Sequence, residues 1–119
     1  MIVDSKIAVI GLGYVGLPLS IEFAKYFQVL GYDINPSRVN ELKLLEDKTD
    51  EANLEELERV LNQKLKLSAQ EKDLDEYNIY IITVPTPITK DKTPDLSYLK
   101  AASVMVGKYL NKGDIVIYE

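Results

Sequence analysis

One six-residue segment, Gly11–Gly16 (GLGYVG), constrains the fold of this chain more than any other feature. It follows Lys6–Ile10 (KIAVI), a β-branched run typical of a buried strand, and it precedes apolar residues at helical spacing. The pattern G-x-G-x-x-G between a strand and a helix is typical of a dinucleotide-binding turn. The same pattern also occurs in turns that need only permissive backbone dihedrals, so the neighbouring sequence decides between the two interpretations.

The acidic residue Asp33 favours the dinucleotide interpretation. It ends the next predicted strand and stands 22 residues after Gly11, where such domains place the carboxylate that binds the adenosine ribose. Gly11 would form the tight turn, Gly13 would let the backbone approach a pyrophosphate, and Gly16 would let the helix pack closely on the first strand. The N–H groups at the start of that helix, together with its dipole, would hold the phosphates.

Asp33 also predicts which dinucleotide binds. Its carboxylate can accept both ribose hydroxyls, whereas the 2′-phosphate of NADP would meet a like charge, so NAD is expected over NADP. Arg38 complicates this prediction, because a nearby arginine is how NADP enzymes accommodate the extra phosphate. With Asp33 present, we interpret Arg38 as packing over the ribose or the adenine edge; a solvated arginine in the first helical turn is the alternative. Replacing Asp33 by alanine is expected to weaken NAD binding and to leave stability near wild type.

The rest of the chain alternates predicted strands and helices, which indicates an α/β fold with a mostly parallel sheet and right-handed crossovers. We expect a Rossmann-type, doubly wound sheet with helices on both faces, truncated after about its fifth strand. Predicted strands are Lys6–Ile10, Gln28–Asp33, Lys64–Ser68 (an exposed strand or an extended loop), Ile79–Val84 and Ile115–Tyr118. Predicted helices run from Tyr14 to Phe27 with Pro18 in the first turn, from Asn35-Pro36, from Asn53 in a capping box with Glu56, and from Asp95 through Leu110 to a stop at Asn111–Gly113.

Composition narrows the possible functions. The 119 residues accommodate one domain, and they include no cysteine and no histidine, which removes the commonest nucleophile, base and metal ligands. A net charge of −5 argues against a nucleic-acid groove. The apolar runs are too short for a membrane span and no signal peptide is visible, so a cytoplasmic location without membrane partners is expected. We predict no metal site: the carboxylates of Asp47, Asp50 and Glu51 are more typical of a solvated loop.

Three longer motifs resemble the UDP-glucose/GDP-mannose dehydrogenase family. Gly11–Pro18 (GLGYVGLP) is similar to the family's glycine motif, and Asp33–Val39 matches its pattern D-x-N-x-x-(K/R)-V. Val84–Pro87 (VPTP) follows a strand, and Pro94–Leu96 (PDL) then opens a helix. Within the family, the string VPTPI and the spacing of the Asp47-Lys48-Thr49 segment resemble dehydrogenases of UDP-N-acetylhexosamines (GlcNAc or GalNAc). Those relatives usually place a glycine where this chain has Leu45.

The resemblance implies a cofactor, a reaction and a set of contacts. Family members oxidise the C6 alcohol of a nucleotide sugar to a carboxylate with two NAD, using a cysteine, a lysine and an asparagine from later in the chain. Residues 1–119 would then be the NAD-binding domain, without the central helix, the UDP-sugar-binding domain or any catalytic residue, and would bind NAD without turnover. The parent would be a homo-oligomeric NAD-dependent UDP-sugar 6-dehydrogenase that supplies polysaccharide precursors. The predicted NAD contacts are Gly11, Gly13, Tyr14, Val15 and Gly16 at the pyrophosphate, Asp33 and Arg38 at the adenosine, and Val84, Pro85 and Thr86 at the nicotinamide ribose.

Alternatives remain open. Another NAD-dependent Rossmann dehydrogenase, of the 3-hydroxyacid or 6-phosphogluconate type, would share the glycine loop but lack VPTP and the later Pro-Asp-Leu. A non-catalytic nucleotide-sensing module would be complete at this length. Pro85–Pro87 could also be only a rigid turn that ends a strand. Tyr80, Tyr98 and Tyr109 are expected to pack in the core or at its edge, and Lys90–Lys92 to form a mobile loop tip.

Overall fold

The computed structural model describes residues 5–46 and 53–119, which form a five-stranded parallel sheet in the order β3-β2-β1-β4-β5. The predicted segments Asp47-Lys48-Thr49, Asp50 and Glu51 lie outside the described residues. The strands are β1 (Lys6–Ile10), β2 (Gln28–Tyr32), β3 (Leu65–Ser68), β4 (Ile79–Ile82) and β5 (Ile115–Tyr118). The helices are α1 (Gly16–Ala24), α2 (Pro36–Lys43), α3 (Leu54–Val60) and α4 (Ser97–Gly107), with a 3-10 helix at Glu71–Glu76.

The central strand β1 separates two apolar cores. Ile7 and Val9 pack with α1, α2 and α3 on one face of the sheet, whereas Ala8 and Ile10 pack with α4 and the 3-10 helix on the other. A strand buried on both faces needs a continuous apolar sequence, which is what KIAVI provides after its first lysine. The expected doubly wound α/β architecture, with helices on both faces, is therefore confirmed.

Two segments differ from the sequence predictions. β3 is a strand, which confirms one of the two predictions for this segment, but it is not exposed, because Leu65 and Leu67 are buried and only Lys66 points to solvent. The alternation is that of an edge strand with one face on the core. The 3-10 helix was not predicted, since its six residues are mostly charged. Leu74 anchors it, being fully buried with its carbonyl 2.7 Å from the Tyr80 hydroxyl. Tyr80 is in the core as predicted, and burial raises its pKa to about 12.

The helices begin at or near the predicted residues, with small differences in their bounds. α1 begins at Gly16 rather than Tyr14, and Pro18 lies in its first turn as predicted. Asn53 caps α3 by accepting from the N–H groups of its first turn, while the Glu56 carboxylate pairs with Lys25 instead of completing the box. α4 begins two residues after Asp95, whose carboxylate accepts from the Ser97 N–H at 2.9 Å.

The ends of the helices differ more from the predictions. α1 ends at Ala24 and α4 at Gly107, so the predicted end of the first helix at Phe27 and the inclusion of Leu110 in the last are wrong. Leu110 is exposed beyond the helix, whose buried residues are Ala102 and Val106. Within residues 5–46 and 53–119, every helix is too short or too polar to cross a membrane.

Candidate cofactor-binding site

A cleft of about 910 Å³ opens at the carboxyl ends of β1, β2 and β4. The strand order changes direction at β1, since the chain goes to β2 on one side and later to β4 on the other, and ligands of open parallel sheets bind at such a point. The glycine loop, the start of α2, the segment after β4 and one face of α4 line the cleft. Nine of the ten predicted contact residues lie in its lining, and the tenth, Gly16, is buried behind it.

The three glycines of the loop have different requirements. Gly11 has a φ of +104°, and its N–H donates to the Tyr32 carbonyl at 2.8 Å. A Cβ on Gly16 would overlap the Gly11 carbonyl oxygen and the Thr83 hydroxyl. A Cβ on Gly13, in contrast, would meet no protein atom within 4 Å, and its φ lies outside the left-handed region. Gly11 and Gly16 are thus required by the protein itself, while open space at Gly13 fits a ligand that approaches the backbone.

Both carboxylate oxygens of Asp33 accept hydrogen bonds from backbone N–H groups. One carboxylate oxygen accepts from the Leu12 N–H and the other from the Asn35 N–H, each at 2.9 Å. These bonds connect the glycine loop to the N-terminus of α2, a structural role that the sequence did not indicate. A carboxylate oxygen has more than one acceptor site, so both oxygens can also accept from ribose hydroxyls in the cleft.

Arg38 is buried rather than solvated, which excludes the alternative considered for it. Its side chain lies in the first turn of α2 and the residue is 8% exposed. The Nε atom donates to the Leu12 carbonyl at 2.9 Å, and Nη1 lies 3.1 Å from the Glu41 carboxylate. The arginine therefore binds the backbone carbonyl of Leu12, while Asp33 binds the backbone N–H of the same residue.

Thr83 is a site residue that sequence reasoning missed. It follows β4 directly, it is buried, and its hydroxyl donates to the Gly11 carbonyl at 2.8 Å with the Ile10 carbonyl at 3.1 Å. The hydroxyl thereby joins β4 to the glycine turn of β1. A polar residue at the end of the apolar run IYIIT indicates such a buried hydrogen bond and could have been used to find it.

The β4 side of the cleft is more open. Val84 is half-buried against the α4 core, whereas Pro85, Thr86 and Pro87 are exposed. Tyr98, predicted to pack in the core or at its edge, is 53% exposed and lines the cleft. Further lining residues without a sequence-based role are Ile34, Glu41, Ala101, Met105 and Glu119.

Beyond this segment, a short closed loop carries Lys90–Lys92. The Thr89 N–H donates to the Thr93 carbonyl at 2.8 Å, and Ile88 bridges to Pro94. Lys90, Asp91 and Lys92 are all exposed at its tip, as expected for a loop tip, although their mobility stays a prediction.

Comparison with known proteins identifies the family of this chain. Residues 5–119 match the model of the UDP-glucose/GDP-mannose dehydrogenase family, NAD binding domain. The chain belongs to this family. Over 116 residues it is 52% identical to UDP-N-acetyl-D-glucosamine 6-dehydrogenase of Salmonella typhi and 50% identical to that of Pseudomonas aeruginosa, in each case 98% of this chain and 27% of the relative. The structure of a UDP-D-ManNAc dehydrogenase from Pyrococcus horikoshii superposes with a TM-score of 0.90 at 39% identity, covering 96% of this chain and 28% of that one.

Membership confirms the resemblance seen in the three motifs and identifies NAD as the cofactor of this domain. It favours this family over the 3-hydroxyacid and 6-phosphogluconate types. The chain spans 27% of the length of the two UDP-N-acetyl-D-glucosamine 6-dehydrogenases. Leu45, where the resemblance led us to expect glycine, has a φ of 58°, in the left-handed region that glycine adopts most readily. Its side chain packs against the core.

Proposed function

We propose that the cleft at the carboxyl ends of β1, β2 and β4 is where this domain binds NAD. The observation that carries the proposal is Gly13, which lacks a side chain although the protein leaves room for one. A pyrophosphate against the backbone would use that room, and the adjacent N-terminus of α1 supplies the positive end of a helix dipole. The acidic composition of the chain is no obstacle, because backbone N–H groups provide the attraction locally.

The residues at the two ends of the cleft would determine the orientation of NAD. Asp33 and Arg38 would contact the adenosine, with the Asp33 oxygens accepting from the ribose hydroxyls. Gly11–Gly16, including Tyr14 and Val15, would contact the pyrophosphate. The nicotinamide ribose would then lie beside Val84–Thr86, at the end of β4. This orientation places the reactive ring next to α4 and Glu119, on the open side of the cleft.

For the whole protein we propose a UDP-N-acetylhexosamine 6-dehydrogenase. The two similar enzymes are named for the oxidation of UDP-N-acetyl-D-glucosamine, and the structural neighbour for UDP-D-ManNAc. NAD accepts a hydride in such a reaction, and this chain binds and orients it. The 119 residues contain no cysteine, so a covalent thiol step would need residues of a longer protein. A homo-oligomeric parent, a role in polysaccharide precursor supply and a cytoplasmic location stay predictions.

Isothermal titration calorimetry of the purified chain with NAD and with NADP tests the proposal. NAD should bind more tightly by about tenfold or more, equivalent to about 1.4 kcal/mol, because a 2′-phosphate would face the Asp33 carboxylate. Absence of binding for both dinucleotides would contradict the assignment of the cleft. Equal affinities, or a preference for NADP, would leave the cleft assigned but overturn the role of Asp33.

A further inference from the structure

The Arg38–Glu41 ion pair lies where the adenosine end of the cofactor is expected. Both side chains line the cleft, they are 9% and 15% exposed, and their charged atoms are 3.1 Å apart. The residues are one helical turn apart on α2. An exposed pair of this spacing would add only about 0.2–0.5 kcal/mol to helix stability. Burial in the wall of a ligand site indicates a different role.

The charge balance of this corner disfavours a phosphate. Asp33 and Glu41 are carboxylates, and Arg38 is the one basic side chain among the described residues that line the cleft. A 2′-phosphate would bring about two further negative charges. The neutral ribose diol of NAD carries no such penalty.

Arg38 also has a structural role, because it hydrogen-bonds the glycine loop while Glu41 pairs with its guanidinium. Its Nε holds the Leu12 carbonyl, so the guanidinium is needed beside the glycine loop whichever dinucleotide binds. An arginine in that position, with its charge uncompensated, would attract the phosphate of NADP. Glu41 compensates the charge by accepting from Nη1 on the far side of the group.

We propose that Glu41 is a specificity-determining residue, which neutralises Arg38 so that this arginine can position the glycine loop without recruiting NADP. The proposal rests on the NAD-binding function proposed above and adds a second determinant to Asp33. It assigns the preference for NAD to two carboxylates, Asp33 and Glu41, that line the cleft together with Arg38.

The test compares Glu41→Gln with the wild-type chain, using calorimetric Kd values for NAD and NADP from the same preparation. The ratio of the two affinities does not depend on the fraction of folded protein in that preparation. We expect the preference for NAD to shrink about tenfold, mainly through tighter NADP binding, equivalent to about 1.4 kcal/mol. Glu58→Gln is the matched control, because it removes one exposed carboxylate from α3, outside the cleft, and should leave the preference unchanged.

Two further variants separate charge from shape. Glu41→Asp keeps the carboxylate and should keep the preference, whereas Arg38→Gln added to Glu41→Gln should abolish the gain in NADP affinity. A preference that is unchanged in Glu41→Gln, or equally reduced in Glu58→Gln, would overturn the proposal while leaving NAD binding intact. Loss of both affinities in parallel would show a structural role only and would overturn it as well. If the wild-type chain binds neither dinucleotide, the proposed function fails and this inference fails with it.

Discussion

The two sides of the cleft are built differently. On the β2 side, both backbone polar groups of Leu12 are hydrogen-bonded, the N–H to Asp33 and the carbonyl to Arg38, and Arg38 also pairs with Glu41. On the β4 side, the residues that follow Val84, from Pro85 to Pro87, are exposed. One side is a hydrogen-bonded frame, and the other is a short segment that faces solvent.

This difference indicates where the affinity for NAD should arise. A preformed polar frame binds a ligand with little loss of conformational entropy, whereas open and exposed groups must be ordered first. The β2 side should therefore determine both affinity and the choice of dinucleotide. The β4 side should contribute to orientation of the nicotinamide ring more than to affinity. Substitutions on the two sides would test this difference.

The largest effect is expected from Gly16→Ala. The added methyl would overlap the Gly11 carbonyl and the Thr83 hydroxyl, and a backbone carbonyl cannot move aside without opening the turn. We expect the free energy of unfolding to fall by at least about 3 kcal/mol, the upper end for overpacking. Thermal and urea unfolding followed by circular dichroism would measure it.

Gly13→Ala is the matched variant within the same loop. Its methyl meets no protein atom within 4 Å, so the free energy of unfolding should stay within about 1 kcal/mol of wild type. NAD affinity should nevertheless fall by about tenfold or more, a change of about 1.4 kcal/mol, because the methyl would occupy the place of the pyrophosphate. Unchanged NAD affinity in a folded Gly13→Ala chain would contradict the proposed position of the phosphates.

Asp33→Ala is expected to have an intermediate effect on stability. From sequence alone we expected stability near wild type, but the structure shows that two backbone N–H groups would lose their acceptor. The free energy of unfolding should therefore fall by about 1–3 kcal/mol. NAD affinity should fall as well, and calorimetry on the folded variant would show it.

Asp114→Ala provides the comparison for Asp33→Ala. Asp114 also accepts from a backbone N–H, that of Asn111 at 2.8 Å, but it lies outside the cleft lining. The Asp114→Ala variant should have a lower free energy of unfolding than the wild-type chain and the same affinity for NAD. Equal losses of NAD affinity in both variants would mean that Asp33 acts only through the fold.

Local features of this fold were predictable from sequence. The glycine turn, the caps at Asn35 and Asn53, and the central strands depend on residue types close together in the chain. β3 was ambiguous, because alternating lysine and leucine suits an exposed strand and an extended loop almost equally. The 3-10 helix was not predictable, since a single buried leucine among charged residues gives no periodic pattern.

The candidate site was predictable in its positions but not in its internal bonds. The sequence indicated Asp33 and Arg38 as functional residues, yet it gave no sign that both bind the backbone of Leu12. Those contacts join segments more than 20 residues apart, and they depend on how β2 and α2 pack beside the glycine loop. Glu41 was missed for the same reason, because a glutamate on a charged helix looks solvated until its burial is seen.

The smallest effect is expected from Thr86→Ala, on the β4 side. Thr86 is exposed, so removing its hydroxyl and methyl should change the free energy of unfolding by no more than about 0.5 kcal/mol. NAD affinity should change by less than about threefold, which is under 0.7 kcal/mol, because the β2 side supplies most of the binding. A tenfold loss of affinity in calorimetry would show that the strand end after β4 is as well organised for the cofactor as the frame around Leu12. The contrast between the two sides would then describe only the free protein, because NAD itself would order the β4 side on binding.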